Sequence, residues 1–455
     1  MMVAAEQSLP LDRRRVRRRV FGLAAPVIGE NLLQTLLGIT DTWLVAGVGT
    51  VALAGVGAAL QIVFVLLAAL SALSVGASVL VAQAVGAANL SEASRMARQA
   101  LLWSLLIAVP LTAIGLPLTP TLVSFFGLEA DVAAVARDYL AVNMGAVATL
   151  TLMLLASAVL RGAGDARTPM LVTLLSNVIN VLLTWALIYG ELGLPALGPV
   201  GSAWGTVIAR GIGAVILVVV LLQGRNGVRV GGGGSWLPRL GALGAIVGIG
   251  MPAAFEELLI IGAFATLTPI VAALGTEALA AHRVVINILS LSFLPGVGFG
   301  LAATALVGQA VGAGSPDEAR AATTIALRWA LLWMGALGLL FLIFARPLTG
   351  LFGDDPALVH AATSAIVAVS LAQPLWAASF VYAGALRGTG DTRTPLVITG
   401  AMMWAAVAIG FLGLRFLPQL WLVWAAFLIT GPIETYLFWR AWRRADLSHK
   451  VTEGA

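Results

Sequence analysis

Long apolar runs alternate with short polar segments along nearly the whole chain. The runs are rich in Leu, Ala, Val and Gly, and they lack the period-two alternation of β-barrel strands. Each is long enough to cross a bilayer as a helix, which takes about 20 residues. The pattern predicts an all-α integral membrane protein with twelve transmembrane helices. The predicted spans are 21–46, 53–83, 97–117, 133–160, 169–189, 200–222, 242–272, 278–308, 321–345, 359–385, 395–413 and 418–440.

The composition agrees with this pattern. The chain of 455 residues is 60% hydrophobic and 10% charged, with a mean hydropathy of +0.99, whereas soluble domains carry about 25% charged residues. Cysteine is absent from the sequence, which excludes disulfides and thiol chemistry. The three histidines, His282, His360 and His449, are far apart and show no zinc-binding spacing. Since no nucleophile–base pair or acid pair is visible, we expect neither an enzyme nor a cofactor.

Basic residues are distributed unevenly between the loops. The segment RRRVRRR at 13–19 precedes the first span, and all but five of the 26 Lys and Arg residues fall on its side of the membrane. The five exceptions are Arg137, Arg210, Arg283, Arg346 and Arg415. The positive-inside rule then predicts that both termini lie in the cytoplasm. We expect the protein in a bacterial or archaeal cytoplasmic membrane. We assign the net charge of +5 to topology and lipid headgroups, and we expect no nucleic-acid partner.

The chain repeats itself at an offset of 226 residues. LRGAGDARTP, which begins at Leu160, returns as LRGTGDTRTP from Leu386, and VAQAVGAA at 81 returns as VGQAVGAG at 307. Because each half holds six spans, the copies share one orientation, which predicts two lobes related by an axis along the membrane normal. The glycines suit a tight turn and the Asp suits a helix cap, so we interpret the loop as architecture rather than chemistry.

The repeat also predicts the domain organisation. Two equal lobes joined by a slack tether are suited to rocking against each other around a shared cavity, as alternating access requires. The predicted units are a basic tail at 1–20, a first lobe at 21–222, a glycine-rich linker at 223–240, a second lobe at 241–442 and a tail at 443–455.

Several motifs, taken together, resemble the multidrug and toxic compound extrusion (MATE) family. They are the LRGxGD loops after spans four and ten, VGQAVGAG after span eight, and GITDTWLVAGVG in span one, which is similar to the DinF-like branch. The resemblance covers residues 21–440. It implies a V-shaped bundle that exports cationic or amphipathic organic compounds in exchange for protons or sodium ions.

Span one carries a polar stripe of Glu30, Gln34 and Asp41 on an otherwise apolar helix. An acid inside a membrane is costly and marks a functional candidate. The position 226 residues after Asp41 is Leu267, so this acid breaks the internal symmetry. We therefore predict that Asp41 loads the coupling ion, against the alternative of a structural Asp bonded to a neighbouring helix.

Span five places Asn177, Asn180 and Thr184 on one helix face, where amides near a carboxylate suit a small cation. In the family, a second acid commonly stands where this chain has Thr184. Its absence favours protons over sodium, although Asp41 and Asn180 would be the ligands of a sodium ion. Thr206 resembles a hydroxyl ligand of the same site, and a helix-packing role for it stays open.

Span seven carries Glu256 and Glu257. Glu256 resembles a glutamate that other branches use in a second cation site, but the partner acid in span ten is missing here. We assign these acids to the substrate cavity with Glu30 and Gln34, and we expect at most one of the two to face its centre, because adjacent helix positions point about 100° apart. A structural role shared by Glu256 and its repeat partner Glu30 is the equal alternative.

Two kinds of residue inside the spans remain. Pro26 and Pro252 weaken their helices, either as hinges or as static kinks. Arg210 and Glu434 lie inside spans six and twelve, and we expect each to find a polar partner without forming a site.

We predict a monomer whose partners are small organic molecules and membrane lipids. The alternative function is a flippase for lipids or lipid-linked precursors, which would favour a cavity rich in basic residues.

Overall fold

The computed structural model describes residues 13–353 and 355–448. The start of the predicted basic tail, the loop acid Asp354 and the predicted tail from His449 onward lie outside the described residues. The described chain folds into fourteen helices. They are α1 (Arg13–Ala46), α2 (Thr50–Gly86), α3 (Leu90–Ser124), α4 (Ala130–Gly145), α5 (Val147–Gly162), α6 (Arg167–Tyr189), α7 (Pro199–Gln223), α8 (Leu240–Ala272), α9 (Thr276–Gly312), α10 (Pro316–Ile343), α11 (Ala345–Gly350), α12 (Pro356–Thr389), α13 (Arg393–Leu414) and α14 (Leu420–Arg444).

The helices reproduce the predicted spans. Within the described ranges, eleven helices are individually long and apolar enough to cross a membrane. The twelfth span is the pair α4 and α5, which meet at an angle of 55° around Ala146. The short helix α11 continues α10 and adds no crossing. The prediction of an all-α membrane protein with twelve spans in two lobes is confirmed. The break in the fourth span was not predicted from the sequence, which indicated one continuous helix.

The two lobes touch through equivalent helices. Helix α1 of the first lobe packs on α9 of the second, and α8 of the second lobe packs on α2 of the first. Small residues allow these backbones to approach closely, as at other membrane helix interfaces. A Cβ added at Gly250 of α8 would overlap the carbonyl oxygen of Ala72, and one at Gly298 of α9 would press on Ile28.

Each lobe is also tied together by one buried cluster of glutamate, arginine and threonine. The two clusters are Glu30, Arg161 and Thr173 in the first lobe, and Glu256, Arg387 and Thr399 in the second. The carboxylate accepts from the guanidinium at 3.1 Å in the first lobe and 2.7 Å in the second. The arginine of each repeated LRG loop therefore binds the buried glutamate on the first helix of its lobe, because a buried carboxylate needs a partner of opposite charge.

The lobes are joined on the membrane face where α1 begins and α2 ends, called here the basic face. The side-chain amide of Gln83 donates to the carbonyl of Gly388 at 3.1 Å, and that of Gln309 donates to Gly162 at 2.8 Å. These two bonds, called here the paired latch, occupy equivalent positions of the repeat. Arg19 of α1 adds an ion pair to Glu318 across the same junction. The bundle is therefore closed at its basic face.

The connection at 223–240 does not hang free between the lobes. The backbone N–H of Arg229 donates to Ser94 Oγ at 3.0 Å, and that of Arg239 donates to Gln99 Oε1 at 2.9 Å. Two valines of the segment are fully buried. The expectation of a slack tether was wrong, because serine and glutamine side chains on α3 satisfy the backbone of the connection and hold it against the first lobe.

The predicted cap in the repeated loop is present. Asp165 accepts the backbone N–H groups of Arg167 and Thr168 at the start of α6, both at 3.0 Å. It also accepts from the Thr168 hydroxyl at 2.6 Å and from Arg225 Nε at 2.7 Å. Burial alone would raise the pKa of Asp165, but these hydrogen bonds outweigh burial and lower the pKa below its usual value of 3.8.

Replacing Gly86 by Val should open the basic face. A Cβ at Gly86 would overlap the carbonyl oxygen of Gln309, so the closed form should lose about 1–3 kcal/mol through overpacking. Spin labels on cysteines introduced at Ser91 and Asp317, in a chain that has no native cysteine, should report a longer distance. The matched control is Gly244→Val, which adds a side chain in open space; equal distances in both variants would contradict the assignment.

Replacing Asp165 by Ala should lower the free energy of unfolding by about 1–2 kcal/mol at neutral pH. Because the folded pKa lies below the unfolded one, this stabilisation is complete above about pH 4 and is lost as the pH falls through the folded pKa. Thermal unfolding in detergent against pH measures the difference. Asp391→Ala removes a cap bond at the equivalent position without a bonded arginine and should cost less; a pH-independent difference for Asp165 would refute its ionic contribution.

Candidate functional site

A cavity of about 510 Å³ lies in the first lobe between α1, α2, α4, α5, α6 and α7, and Leu301 of α9 contributes to its wall from the second lobe. Its volume is in the range of sites for drug-sized molecules. One part of the wall is apolar and comes largely from α2 and α5. The polar and charged lining residues are Glu30, Asn31, Gln34, Asp41, Thr42, Tyr139, Asn143, Ser157, Arg161, Thr173, Ser176, Asn177, Asn180, Ser202, Thr206 and Arg210.

The break in the fourth span helps to form this cavity. The Thr112 hydroxyl donates to the carbonyl of Met144 at 2.9 Å, and the Asn143 amide donates to the carbonyl of Tyr139 at 3.0 Å. These bonds satisfy backbone groups at the break, as the membrane interior requires. In the second lobe the equivalent helix α12 is continuous.

The second lobe also lacks four of the polar side chains that line the cavity of the first. The equivalents of Asp41, Tyr139, Asn143 and Asn180 at the 226-residue offset are all apolar and buried. They are Leu267, Ala365, Val369 and Ala406. Aromatic contacts between Trp376, Trp424 and Phe427 occupy the second lobe's core. The repeat therefore carries a polar site in one lobe and a packed core in the other.

Asp41 lies on α1, five residues before the helix ends at Ala46. It is partly buried, and its Oδ1 is buried without a hydrogen-bond partner. Glu30 and Gln34 line the same cavity along the same helix, which is where the sequence placed the polar stripe. Of the two acids, Glu30 is closed into its ion pair with Arg161, while Asp41 has no ion pair among the described residues.

The predicted amides and hydroxyls form a short hydrogen-bonded chain. Thr184 donates to Asn180 Oδ1 at 3.3 Å, and Asn180 Nδ2 donates to Thr206 Oγ1 at 2.9 Å. Asn180 and Thr206 line the cavity, whereas Thr184 lies behind Asn180 and is fully buried. Asn177 donates to the carbonyl of Leu33 at 2.7 Å and so ties α6 to α1. The chain fixes the Asn180 amide and leaves the Thr206 proton available to the cavity.

Arg210 is the main site residue that sequence reasoning missed. It lines the cavity from α7, and its charge interacts with Asp41 and Tyr139. The described residues provide it with neither a hydrogen bond nor an ion pair. A signal was present: Ser202, Thr206 and Arg210 recur every four residues, which places them on one helix face.

The structure does not bring Glu256 and Glu257 to this cavity, contrary to our expectation. Glu256 is closed in the second lobe by Arg387 and Thr399, at 2.7 and 3.0 Å. Glu257 is exposed on the next position of α8, beside Ser71 of α2. Since neighbouring helix positions point about 100° apart, closing one acid into its pair directs the other away. The structural alternative for Glu256 agrees with these contacts.

The predicted hinges lie within continuous helices. Pro26 is buried inside α1 and Pro252 is partly buried inside α8. Neither residue lines the cavity. Pro26 precedes Glu30 by one turn, so its missing N–H lies between the basic face and the polar stripe.

The donor set of the cavity suits a proton or a weakly held ion better than a tightly bound metal. Within the described ranges, no group of three or more His, Cys, Asp or Glu side chains is placed to hold a metal ion. Around Asp41 the cavity offers one free carboxylate with amide and hydroxyl oxygens. A hard cation prefers several anionic oxygens.

Comparisons with known proteins agree with the duplicated architecture. The MatE family model matches the chain twice, over residues 26–186 and 252–412, at the 226-residue offset of the repeat. Probable multidrug resistance protein NorM of Thermotoga maritima is 34% identical over 397 residues, which cover 86% of this chain and 84% of that protein. Multidrug resistance protein NorM of Burkholderia vietnamiensis is 32% identical over 410 residues, covering 89% and 86%.

A solved structure has the same fold. It is described as the outward-facing conformation of a multidrug resistance MATE family transporter of the MOP superfamily, with a TM-score of 0.88 at 22% identity over 94% of this chain and 95% of that one. Membership of the DinF-like branch stays a prediction. Because the family model matches both halves and relatives above 30% identity span most of the chain, the chain belongs to the MatE family of membrane transporters.

Proposed function

We propose that this protein is a secondary active antiporter that exports cationic or amphipathic organic compounds in exchange for protons. Sodium is the alternative coupling ion. The observation that carries the proposal is Asp41, which has no ion pair among the described residues and lines a drug-sized cavity of the first lobe. The relatives described as multidrug resistance proteins support the class of substrate.

In the proposed cycle, ionised Asp41 attracts the cationic group of a substrate while apolar residues of α2 hold the rest of the molecule. Protonation of Asp41 then removes its charge. Arg210 stays charged, because an arginine is not deprotonated in proteins. The wall that carries both groups therefore changes from neutral to positive, and the cation is expelled.

The other ionisable groups around the cavity do not add to this change of charge. Glu30 and Arg161 form a closed pair, and Tyr139 is neutral at physiological pH. Coupling requires only that proton and substrate favour opposite states of the same acid. Sodium is less favoured, since Thr184 stands where a second acid would serve it and the positive charge of Arg210 repels a metal ion.

Alternating access follows from the way in which the lobes meet. The paired latch closes the basic face, so substrate exchange there requires its two bonds to break. We propose that the lobes rock about the packed glycines of α1, α2, α8 and α9. We also propose a monomer with its basic face in the cytoplasm, and Pro26 as the point at which α1 bends.

Replacing Asp41 by Asn should abolish gradient-driven efflux while the protein still folds, because the amide cannot change its charge. Efflux of a fluorescent organic cation from proteoliposomes measures the rate, and thermal unfolding in detergent measures folding. Asp138→Asn, which alters an exposed acid on α4 paired only with neighbouring Arg137, is the matched control. Undiminished efflux by the Asp41 variant would defeat the mechanism.

An imposed proton gradient should drive efflux by the native protein, and a sodium gradient at constant pH should not. The reason is the donor set, which provides one free carboxylate where sodium would need more negative charge. Both gradients are compared in the same proteoliposomes with the same fluorescent cation. Replacing Thr184 by Asp adds the missing acid beside Asn180 and should increase the sodium response. Efflux by the native protein that follows sodium alone would overturn proton coupling.

A further inference from the structure

Asp41 and Arg210 carry opposite charges and line the same cavity, but they do not form an ion pair. Both line it, and the charge of each reaches the other, but no ion pair within 4.0 Å joins them. The Glu30–Arg161 pair in the same lobe and the Glu256–Arg387 pair in the other are closed at 3.1 and 2.7 Å. Burying the charge of an arginine at membrane depth costs free energy unless an opposite charge pairs with it. The unpaired Arg210 could therefore be stabilised by an anionic group of a ligand.

A further hydrogen-bond donor stands beside Arg210. Ser202 lies two turns earlier on the same face of α7, lines the cavity and is 1% exposed. Its buried hydroxyl faces the phenol of Tyr139 on α4, which also lies close to Arg210. One hydrogen bond between two hydroxyls uses the proton of one of them, so the other hydroxyl proton of this pair remains available to a ligand group at the cavity wall.

We propose that Arg210, Ser202 and Tyr139 form a subsite for the anionic group of the substrate, opposite the cationic subsite at Asp41. The guanidinium presents several N–H donors in a planar fork that matches a carboxylate, and the hydroxyl pair of Ser202 and Tyr139 adds one donor. The preferred substrates are thus small amphoteric molecules that carry a carboxylate and a cationic nitrogen. This inference rests on the proposed export function and names its substrate class.

The charge balance of the cavity agrees with such a substrate. A zwitterion neutralises both free charges at once, whereas a simple cation leaves Arg210 unpaired. Protonation of Asp41 removes one of the two anchors, which lowers the affinity for the substrate and favours its release, as the proposed cycle requires. The apolar wall from α2, including Leu60 and Phe64, accommodates the body of the molecule.

The test uses two probes that differ in one charge: a rhodamine with a free carboxyl group and the methyl ester of the same rhodamine. Binding to the purified full-length protein is measured by fluorescence anisotropy in detergent, so that it does not depend on transport. In Arg210→Gln the affinity for the acid should fall about tenfold or more, and the affinity for the ester should be unchanged or higher. Arg210→Lys should retain part of the preference for the acid.

The control is Arg137→Gln, which removes an exposed arginine outside the cavity and should affect neither probe. An equal loss of both probes in Arg210→Gln, or no loss of either, overturns the subsite. Displacement of the acid but not the ester by phosphatidylethanolamine would assign the subsite to a lipid headgroup and also overturn the proposal. Failure of the export function is read separately, from Asp41→Asn in proteoliposomes, because the binding assay needs no ion gradient.

Discussion

An ionised side chain inside a bilayer must find an opposite charge, and the structure of this protein depends on how three acids meet that requirement. Glu30 and Glu256 meet it in full, each closed against the arginine of a repeated loop. These pairs connect the first helix of each lobe to its fourth span. Asp41 meets the requirement only in part, since the opposing Arg210 stays beyond ion-pairing distance. The two closed pairs connect helices of the scaffold, and the open pair of Asp41 and Arg210 is the one to which we assign the proposed transport function.

The duplicated chain becomes asymmetric through a few local changes. The first lobe interrupts its fourth span at Ala146 and lines the resulting space with Tyr139 and Asn143. The second lobe keeps the equivalent helix continuous and fills its core with aromatic rings such as Trp424. These rings pack against one another where the first lobe has polar cavity-lining side chains. In the cycle that we propose, the second lobe moves as a rigid body against the lobe that carries the cavity.

Much of this architecture could be predicted from the sequence, because it depends on local patterns. The positions of the spans follow from the apolar runs. The cap at Asp165 also follows from local sequence, because its bonding partners Arg167 and Thr168 are only two and three residues further along the chain. The contact of Arg161 with Glu30 could not be predicted in this way, since 131 residues separate them. The prediction that the connection at 223–240 is slack was wrong for the same reason, since the side chains that hold it lie on α3, far away in the sequence. Arg210 was within reach, since its four-residue spacing from Thr206 was visible.

The paired latch places a constraint on how the transporter moves. Gln83 and Gln309 each donate to a glycine carbonyl of the opposite lobe, and the two bonds are copies of one another. Neither can be strained by rocking without straining its twin, so rupture is expected to be simultaneous rather than stepwise. In the proposed cycle, a half-released intermediate would let ions cross without substrate. If the lobes move as we propose, the duplication therefore supplies protection against uncoupled ion flow as well as a second lobe.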